Sequence, residues 1–273
     1  MIGAVAGDVI GSRFEMINYS ATKSFEDYLS FPLFVDTCKF TDDTVLSCAI
    51  AKVLMEEPNV EDYQRRFAEE LKLFGRRYPN AGYGSSFMQW LDKPGLESNN
   101  SWGNGAAMRV SPVGFYFANE PTKALGSIEF NMDVLEDVLR VAELSALPTH
   151  NHPEGIAGAQ AIAAAIYMAK KKNKKEFIKN FIENRFGYNL DKTLDEVRSE
   201  GYEFSSYARD TVPHAIRAFL ESDDYESAIR KAISIGGDSD TIACMAGGIA
   251  EAFYGIEGIS EEIIATTFGL MHS

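Results

Sequence analysis

The stretch Glu154-Gly-Ile-Ala-Gly-Ala-Gln-Ala-Ile-Ala-Ala-Ala-Ile-Tyr-Met-Ala-Lys170 decides the fold class. Between its charged ends, Gln160 and the Tyr167 hydroxyl are its only polar side-chain groups. Small and apolar residues therefore cover nearly every face, and the segment reads as a helix buried almost all round. A buried helix needs neighbours, and the flanking sequence supplies them. Upstream, Val134, Leu135, Val138, Leu139 and Ala142 follow the i, i+3, i+4 rule. Downstream, Phe177, Ile178, Phe181 and Ile182 repeat it. Further out, Val45, Leu46, Ala49, Ile50, Val53 and Leu54 make a stripe from about Asp42 to Met55. Pro58 and Asn59 interrupt, and Val60, Tyr63, Phe67, Leu71 and Phe74 begin another.

Towards the C-terminus, Ala215, Ile216 and Phe219 form a stripe, followed by Tyr225, Ala228, Ile229, Ala232 and Ile233. Ile242, Met245, Ala246, Ile249 and Phe253 make a long one, and Ser260 reads as the N-cap of a last helix with Ile263, Ile264 and Leu270. No run of β-branched residues alternates with polar ones, and neither a P-loop nor a complete GxGxxG occurs. The expectation is all-α: a single compact multi-helix domain over residues 1–273, with irregular stretches near Phe25–Thr41, Tyr78–Asn104 and Tyr188–Asp210.

Composition limits the function classes. The 273 residues are 45% hydrophobic and 24% charged, which excludes a disordered or collagen-like chain. Lys plus Arg number 26 and Asp plus Glu 40, a formal net charge of −14. That balance argues against extended nucleic-acid binding, which needs basic surface. Cys38, Cys48 and Cys244 are odd in number with no CxxC, so a reducing cytoplasm is expected rather than a disulfide framework or zinc site. The N-terminus has no basic n-region, and Asp8 breaks its apolar run, so it is not read as a signal peptide. The longest apolar stretch, Ala161 to Ala169, falls far short of the roughly 20 residues that span a bilayer, so no membrane association is expected.

Two segments pair carboxylates with a Thr hydroxyl at the start of an apolar helix. Thr41-Asp42-Asp43-Thr44 precedes Val45, and Gly236-Gly237-Asp238-Ser239-Asp240-Thr241 precedes Ile242. Alone, each is an ordinary helix start, with an N-cap and acids that complement the dipole. Together they place several acids in the first turns of helices that must be packed. Such acids repel one another unless a cation neutralises them, and hard oxygen ligands suit Mg²⁺, Mn²⁺ or Ca²⁺.

Gly3, Gly7 and Gly11, four apart, form a bare helix face that permits close approach, and Glu15 follows as a candidate acid or base. Gly103-Asn104-Gly105, before Met108 and Arg109, is a turn whose backbone could approach a phosphate or sugar, though tight turns of this composition are common. In Thr149-His150-Asn151-His152-Pro153, His152 marks the approach to a helix with Pro in its first turn. The lysines of Lys170–Lys175 read as a solvated connection between two helices.

In this order the segments resemble the ADP-ribosylglycohydrolase family, which includes dinitrogenase reductase-activating glycohydrolases. The resemblance rests on Gly3-Ala-Val-Ala-Gly-Asp-Val-Ile-Gly-Ser-Arg-Phe-Glu15, Phe40-Thr-Asp-Asp-Thr44, Gly103-Asn-Gly-Ala-Ala-Met-Arg-Val-Ser-Pro-Val-Gly114, Thr149-His150, Gly236-Gly-Asp-Ser-Asp-Thr241 and Gly247-Gly-Ile-Ala-Glu-Ala-Phe-Tyr-Gly255. It implies a compact all-α fold around two divalent ions, Mg²⁺ or Mn²⁺. It assigns Thr41, Asp42 and Asp43 to one side of the metal site and Asp238, Asp240 and Thr241 to the other, with Asp240 as the bridge. It makes Glu15 and Asp240 catalytic, and gives substrate binding to Gly103, Asn104, Gly105, Met108, Arg109 and His150.

The implied reaction is hydrolysis of an ADP-ribosyl glycosidic bond through an oxocarbenium-like transition state. The ions would hold the 2′- and 3′-hydroxyls of the distal ribose, and Glu15 would activate water or assist the leaving group. Protein arginine ranks first as the leaving group. O-linked serine, O-acetyl-ADP-ribose, and a non-catalytic ADP-ribose-binding or structural homologue are the alternatives. The partner is accordingly an ADP-ribosylated protein or a small ADP-ribosyl conjugate. Glu251 stands where the family often has a small residue, which puts local helix packing in question. Asn184–Tyr207 carries no matching motif and is the candidate for shaping substrate choice.

Overall fold

The computed structural model describes residues 1–15, 30–56, 59–119 and 130–272. Among them the only strand-like pairings are two isolated bridges, Asn100 with His150 and Gly103 with Tyr207, so the all-α expectation holds. The helices are α1 (Ile2–Gly11), α2 (Asp42–Glu56), α3 (Tyr63–Arg77), α4 (Ser85–Asp92), α5 (Gly105–Met108), α6 (Ser111–Asn119) and α7 (Met132–Ala146). They continue as α8 (Pro153–Lys170), α9 (Lys175–Phe186), α10 (Leu194–Glu200), α11 (Ala208–Glu221), α12 (Tyr225–Ser234), α13 (Ser239–Tyr254) and α14 (Glu261–Met271). Pro58, and positions 25–29 of the first irregular stretch, lie outside the described residues.

The Ala-rich α8 sits at the centre and packs against α5, α6, α7, α9, α11 and α13. Its residues from Ala161 to Ala169 are fully buried. The His152 ring accepts from Glu154 N ahead of Pro153, so the helix start is the one its sequence announces. Ser260 caps α14 by accepting from Ile263 N. Around α8 one apolar cluster draws residues from every stripe, although Phe177 is exposed and Leu270 packs on a second, smaller cluster of Val5, Val9 and Cys38.

The other buried helix, α13, runs antiparallel to α1, and their contact uses the glycine face. A methyl group on Gly7 would lie 2.2 Å from Ala243 O, and one on Gly11 would lie 2.5 Å from Asp240 Cα. No side chain fits there, so the two backbones touch and Asp8 is brought beside Asp240. Glu251, the departure from the family pattern, fits this pair of helices. It is buried, and its Oε2 accepts from Gly3 N at 2.7 Å while Oε1 meets the N-terminal ammonium at 2.5 Å. It therefore caps α1, whose first-turn N–H groups need acceptors.

Three expectations change. The irregular stretch Tyr78–Asn104 contains α4, a short helix that buries Phe87, Trp90 and Leu91. The stretch Tyr188–Asp210 contains α10, opened by a capping box between Thr193 and Glu196. The lysine run is a connection, but not simply a solvated one. Lys171 is buried, and Lys175 Nζ donates to Leu220 O, Ser222 O and the Tyr254 hydroxyl. Lys175 thereby ties the start of α9 to α11 and α13.

Candidate metal and substrate site

The first turns of α2 and α13 meet the second half of α1 at the bottom of a cleft of about 550 Å³. Every residue assigned from sequence lines this cleft. Thr41, Asp42, Asp43, Asp238, Asp240 and Thr241 form its floor, with Glu15 at the edge. Gly103, Asn104, Gly105, Met108, Arg109 and His150 form a wall.

Asp8, the acid that interrupts the first apolar run, lies behind the floor. It is fully buried and accepts four hydrogen bonds from the start of α2. Thr41 N and Oγ1 donate at 2.9 and 2.6 Å, and Thr44 N and Oγ1 at 3.2 and 2.5 Å. Asp8 thus ties α1 to α2, and Thr41 is held by it. The signal for this residue was an acid inside an otherwise apolar helix, which a packed structure tolerates only with dedicated partners.

Asp43 is treated very differently. Its Oδ2 lies 3.3 Å from both the Thr41 and the Thr241 hydroxyls. Its Oδ1 is buried and meets no hydrogen-bond donor among the described residues. Asp240 accepts from Thr241 N at 2.9 Å, and Asp238 from Asn104 Nδ2 at 2.7 Å. Ligand oxygens of Asp8, Asp43 and Asp240 lie within 4.8 Å of one another, as do those of Glu15, Asp238 and Asp240. The two triads share Asp240.

Burial and mutual repulsion raise the proton affinity of the whole group. Burial, then Asp8 and Asp238, push the Asp42 carboxyl up to about 8. Asp43 and Asp240 are held well above the ordinary carboxylate range, first by burial and then by their acidic neighbours. Asp238 is raised by burial against the pull of Asn104, and Glu15 by burial and then Asp238, with Lys39 opposing. Buried acids that share too few donors are destabilising unless protonated or matched by a cation. The unpartnered Asp43 Oδ1 and the all-oxygen donor set fit a hard divalent cation, with the Thr41 and Thr241 hydroxyls beside the carboxylates.

The wall carries positive charge and a glycine turn. Gly103 and Gly105 stand beside the His150 ring. A methyl group on Gly105 would lie 3.2 Å from Nε2, and one on Gly103 would lie 3.7 Å away. Asn104 is fixed at both ends, its N–H donating to Ser206 O at 2.9 Å and its side chain to Asp238. Ser206 and Phe204 bring the motif-less stretch Asn184–Tyr207 to the cleft. Tyr83, just before α4, and Ser85 and Ser86, in its first turn, also line the cleft. Arg109 lines the wall while having no exposed surface of its own. His150 and His152 do not combine with other ligand side chains in either triad.

The family model described as ADP-ribosylglycohydrolase matches residues 1–269. ADP-ribosylhydrolase ARH3 of Gallus gallus is 27% identical, covering 95% of this chain and 85% of the relative. ADP-ribosylhydrolase ARH3 of Homo sapiens is 26% identical, covering 96% and 86%. ADP-ribosylarginine hydrolase Tri1 of Pseudomonas putida is 23% identical, covering 96% and 71%. Among solved structures, an ADP-ribosylglycohydrolase-related protein complex superposes with a TM-score of 0.60 at 22% identity, covering 99% of this chain and 96% of that one. At that identity the likeness speaks for the fold.

Proposed function

The chain belongs to the ADP-ribosylglycohydrolase family, and from that premise we propose that residues 1–273 act as one domain that removes ADP-ribose from protein arginine in a metal-dependent hydrolysis. The observation that carries the reading is the pair of carboxylate triads joined at Asp240 beneath a cleft. Asp43, Asp238 and Asp240, with Asp42, Thr41 and Thr241, would hold two divalent ions, Mg²⁺ or Mn²⁺. Such ions supply Lewis-acid polarisation and a lowered pKa for bound water.

The chain's own residues supply the rest. Glu15 stands at the cleft edge, and its raised proton affinity lets it hold and return a proton closer to neutrality than a free glutamate does. It delivers that proton to the departing guanidine nitrogen, or takes one from the attacking water. Water adds to the anomeric carbon, the C–N bond breaks, and ADP-ribose leaves. The Gly103–Gly105 turn leaves room for the diphosphate and ribose, and His150 offers them a hydrogen bond. Asn104 keeps Asp238 turned into the floor.

Arginine as leaving group is supported by the Pseudomonas putida relative named for arginine. The more similar relatives carry names that specify no linkage, so O-linked serine and O-acetyl-ADP-ribose form the second reading. A cytoplasmic setting is supported by three free cysteines. No helix among the described residues is long and apolar enough to cross a membrane.

The test is a substrate panel of arginine-, serine- and DNA-linked ADP-ribose plus O-acetyl-ADP-ribose, with wild type and Glu15→Ala. Release from the arginine conjugate, lowered about 10²- to 10⁴-fold by Glu15→Ala, is expected. Release from another conjugate alone overturns the arginine assignment. Tight ADP-ribose binding with no turnover on any member identifies a reader instead of an enzyme.

A further inference from the structure

Arg109 is the largest buried charge whose role the reaction leaves open. Its side chain is completely enclosed, yet Nε and Nη1 meet no hydrogen-bond acceptor among the described residues. Only Nη2 is engaged, donating to Ser145 O at 3.0 Å and to Thr149 Oγ1 at 2.7 Å. Burying a guanidinium in this way is costly, so a specific task is expected of the bonds it does make.

Those bonds set a direction. A guanidinium can only donate, so Thr149 Oγ1 accepts from Arg109. Thr149 Oγ1 also lies 2.7 Å from His150 Nδ1. Thr149 is buried, and its hydroxyl hydrogen has no other acceptor among the described residues. The hydroxyl must therefore donate to Nδ1, which makes Nδ1 the bare, accepting nitrogen of the ring. A neutral imidazole with Nδ1 bare carries its hydrogen on Nε2. Burial, and then the Arg109 charge, hold the ring well below its ordinary pKa, so the imidazolium is disfavoured. Nε2 forms no hydrogen bond within the described residues and stands on the cleft wall beside Gly103 and Gly105.

We propose that Arg109 and Thr149 are positioning residues that hold His150 as its Nε2–H tautomer, so that a neutral donor faces an acceptor oxygen of the ADP-ribosyl group beside the Gly103–Gly105 turn. This rests on the ADP-ribosyl reading of the cleft for its ligand, but not for its tautomer. The arrangement selects for an acceptor and against a donor at that point. A bare Nε2 would instead repel a diphosphate or carbonyl oxygen. In this role Arg109 acts through Thr149.

The tautomer is read directly by long-range ¹H–¹⁵N correlation of the histidine rings at pH 7, with His150→Gln assigning the resonances. Wild type is expected to give the Nε2–H pattern. Thr149→Val removes the donor to Nδ1 with little change of shape and is expected to give a mixture of tautomers. It should also weaken ADP-ribose binding, measured by calorimetry, about 3- to 10-fold, the scale of one neutral hydrogen bond. Thr149→Ser restores the hydroxyl and should restore both. Arg109→Met frees Thr149 Oγ1 to accept from the ring and should also populate Nδ1–H.

An imidazolium or an Nδ1–H pattern in wild type overturns the proposal. So does a Thr149→Val protein that keeps the wild-type pattern and affinity. If wild type gives the Nε2–H pattern but does not bind ADP-ribose, the ADP-ribosyl reading of the cleft fails and the relay stands.

Discussion

On the floor of the cleft Asp42, Asp43, Asp238 and Asp240 face one another with few donors, and their proton affinities rise. On the wall a buried cation, Arg109, donates to Ser145 O and Thr149, and a chain of bonds leads from it to His150. Both regions bury charge. The wall aims its charge through partners of its own, so it fixes an orientation. The floor acids meet no cation in an ion pair among the described residues, so a bound cation would relieve their repulsion. Asp8 and Asp43 repeat the contrast on a smaller scale. Asp8 accepts four hydrogen bonds and joins two helices, while Asp43 keeps one buried oxygen with no donor among the described residues. The state of satisfaction, more than the residue type, separates the acid that holds the fold from the acid that awaits a ligand.

The largest test of this contrast is Asp240→Ala, which removes the member common to both triads. Turnover should fall by about 10³-fold or more, the scale of losing a preorganised charge at a reacting centre. The metal-free protein should melt at a higher temperature than wild type, because one mutually repelled carboxylate is gone. A lower melting point would show that Asp240 is structural, like Asp8.

Next in size is Gly11→Ala. The added methyl group meets the Asp240 backbone at 2.5 Å, so α1 and α13 must separate. Chemical denaturation should register a loss of about 3 kcal/mol, the upper end for overpacking. An unchanged midpoint would refute the close approach of the two helices.

Asn104→Ala leaves Asp238 without its side-chain donor and should weaken divalent-ion binding about 10- to 100-fold, as loss of a supporting contact does elsewhere. Equal affinity in a calorimetric titration would place Asp238 outside the metal site.

The smallest effect concerns pH. The Asp42 carboxyl rises from an ordinary 3.8 to about 8 on folding. Between those values the folded chain binds more protons than the unfolded one, so the stability of the metal-free protein falls as pH rises. Its melting temperature should drop by a few degrees between about pH 5.5 and 8.5, and saturating Mg²⁺ should remove the drop. A melting temperature that rises over this interval without metal contradicts the account of the floor.

Much of this was legible in the sequence, for identifiable reasons. Long apolar stripes such as Ala161–Ala169 leave no alternative to buried helices, and three glycines four apart leave a face that only another backbone can fill. The paired motifs at Asp42 and Asp238 announced a shared site because both open apolar helices. Short helices were hidden. Residues of α4 carry too few turns for a period to emerge, although the Thr193–Glu196 capping box was a readable sign of α10. Asp8 was visible as an anomaly but not as a partner of Thr41 and Thr44, which lie more than thirty residues away. The relay from Arg109 to His150 depends on a contact across forty residues and on which atom donates, and no spacing rule encodes either.

The central claim is that the acidic floor works only with a divalent cation in place. The most direct measurement is release of ADP-ribose from ADP-ribosyl-arginine by the metal-free protein, before and after Mg²⁺ or Mn²⁺ is added back. The account predicts no release from the chelated protein and restored turnover on addition of either ion. Release at the same rate in the presence of a chelator would contradict it.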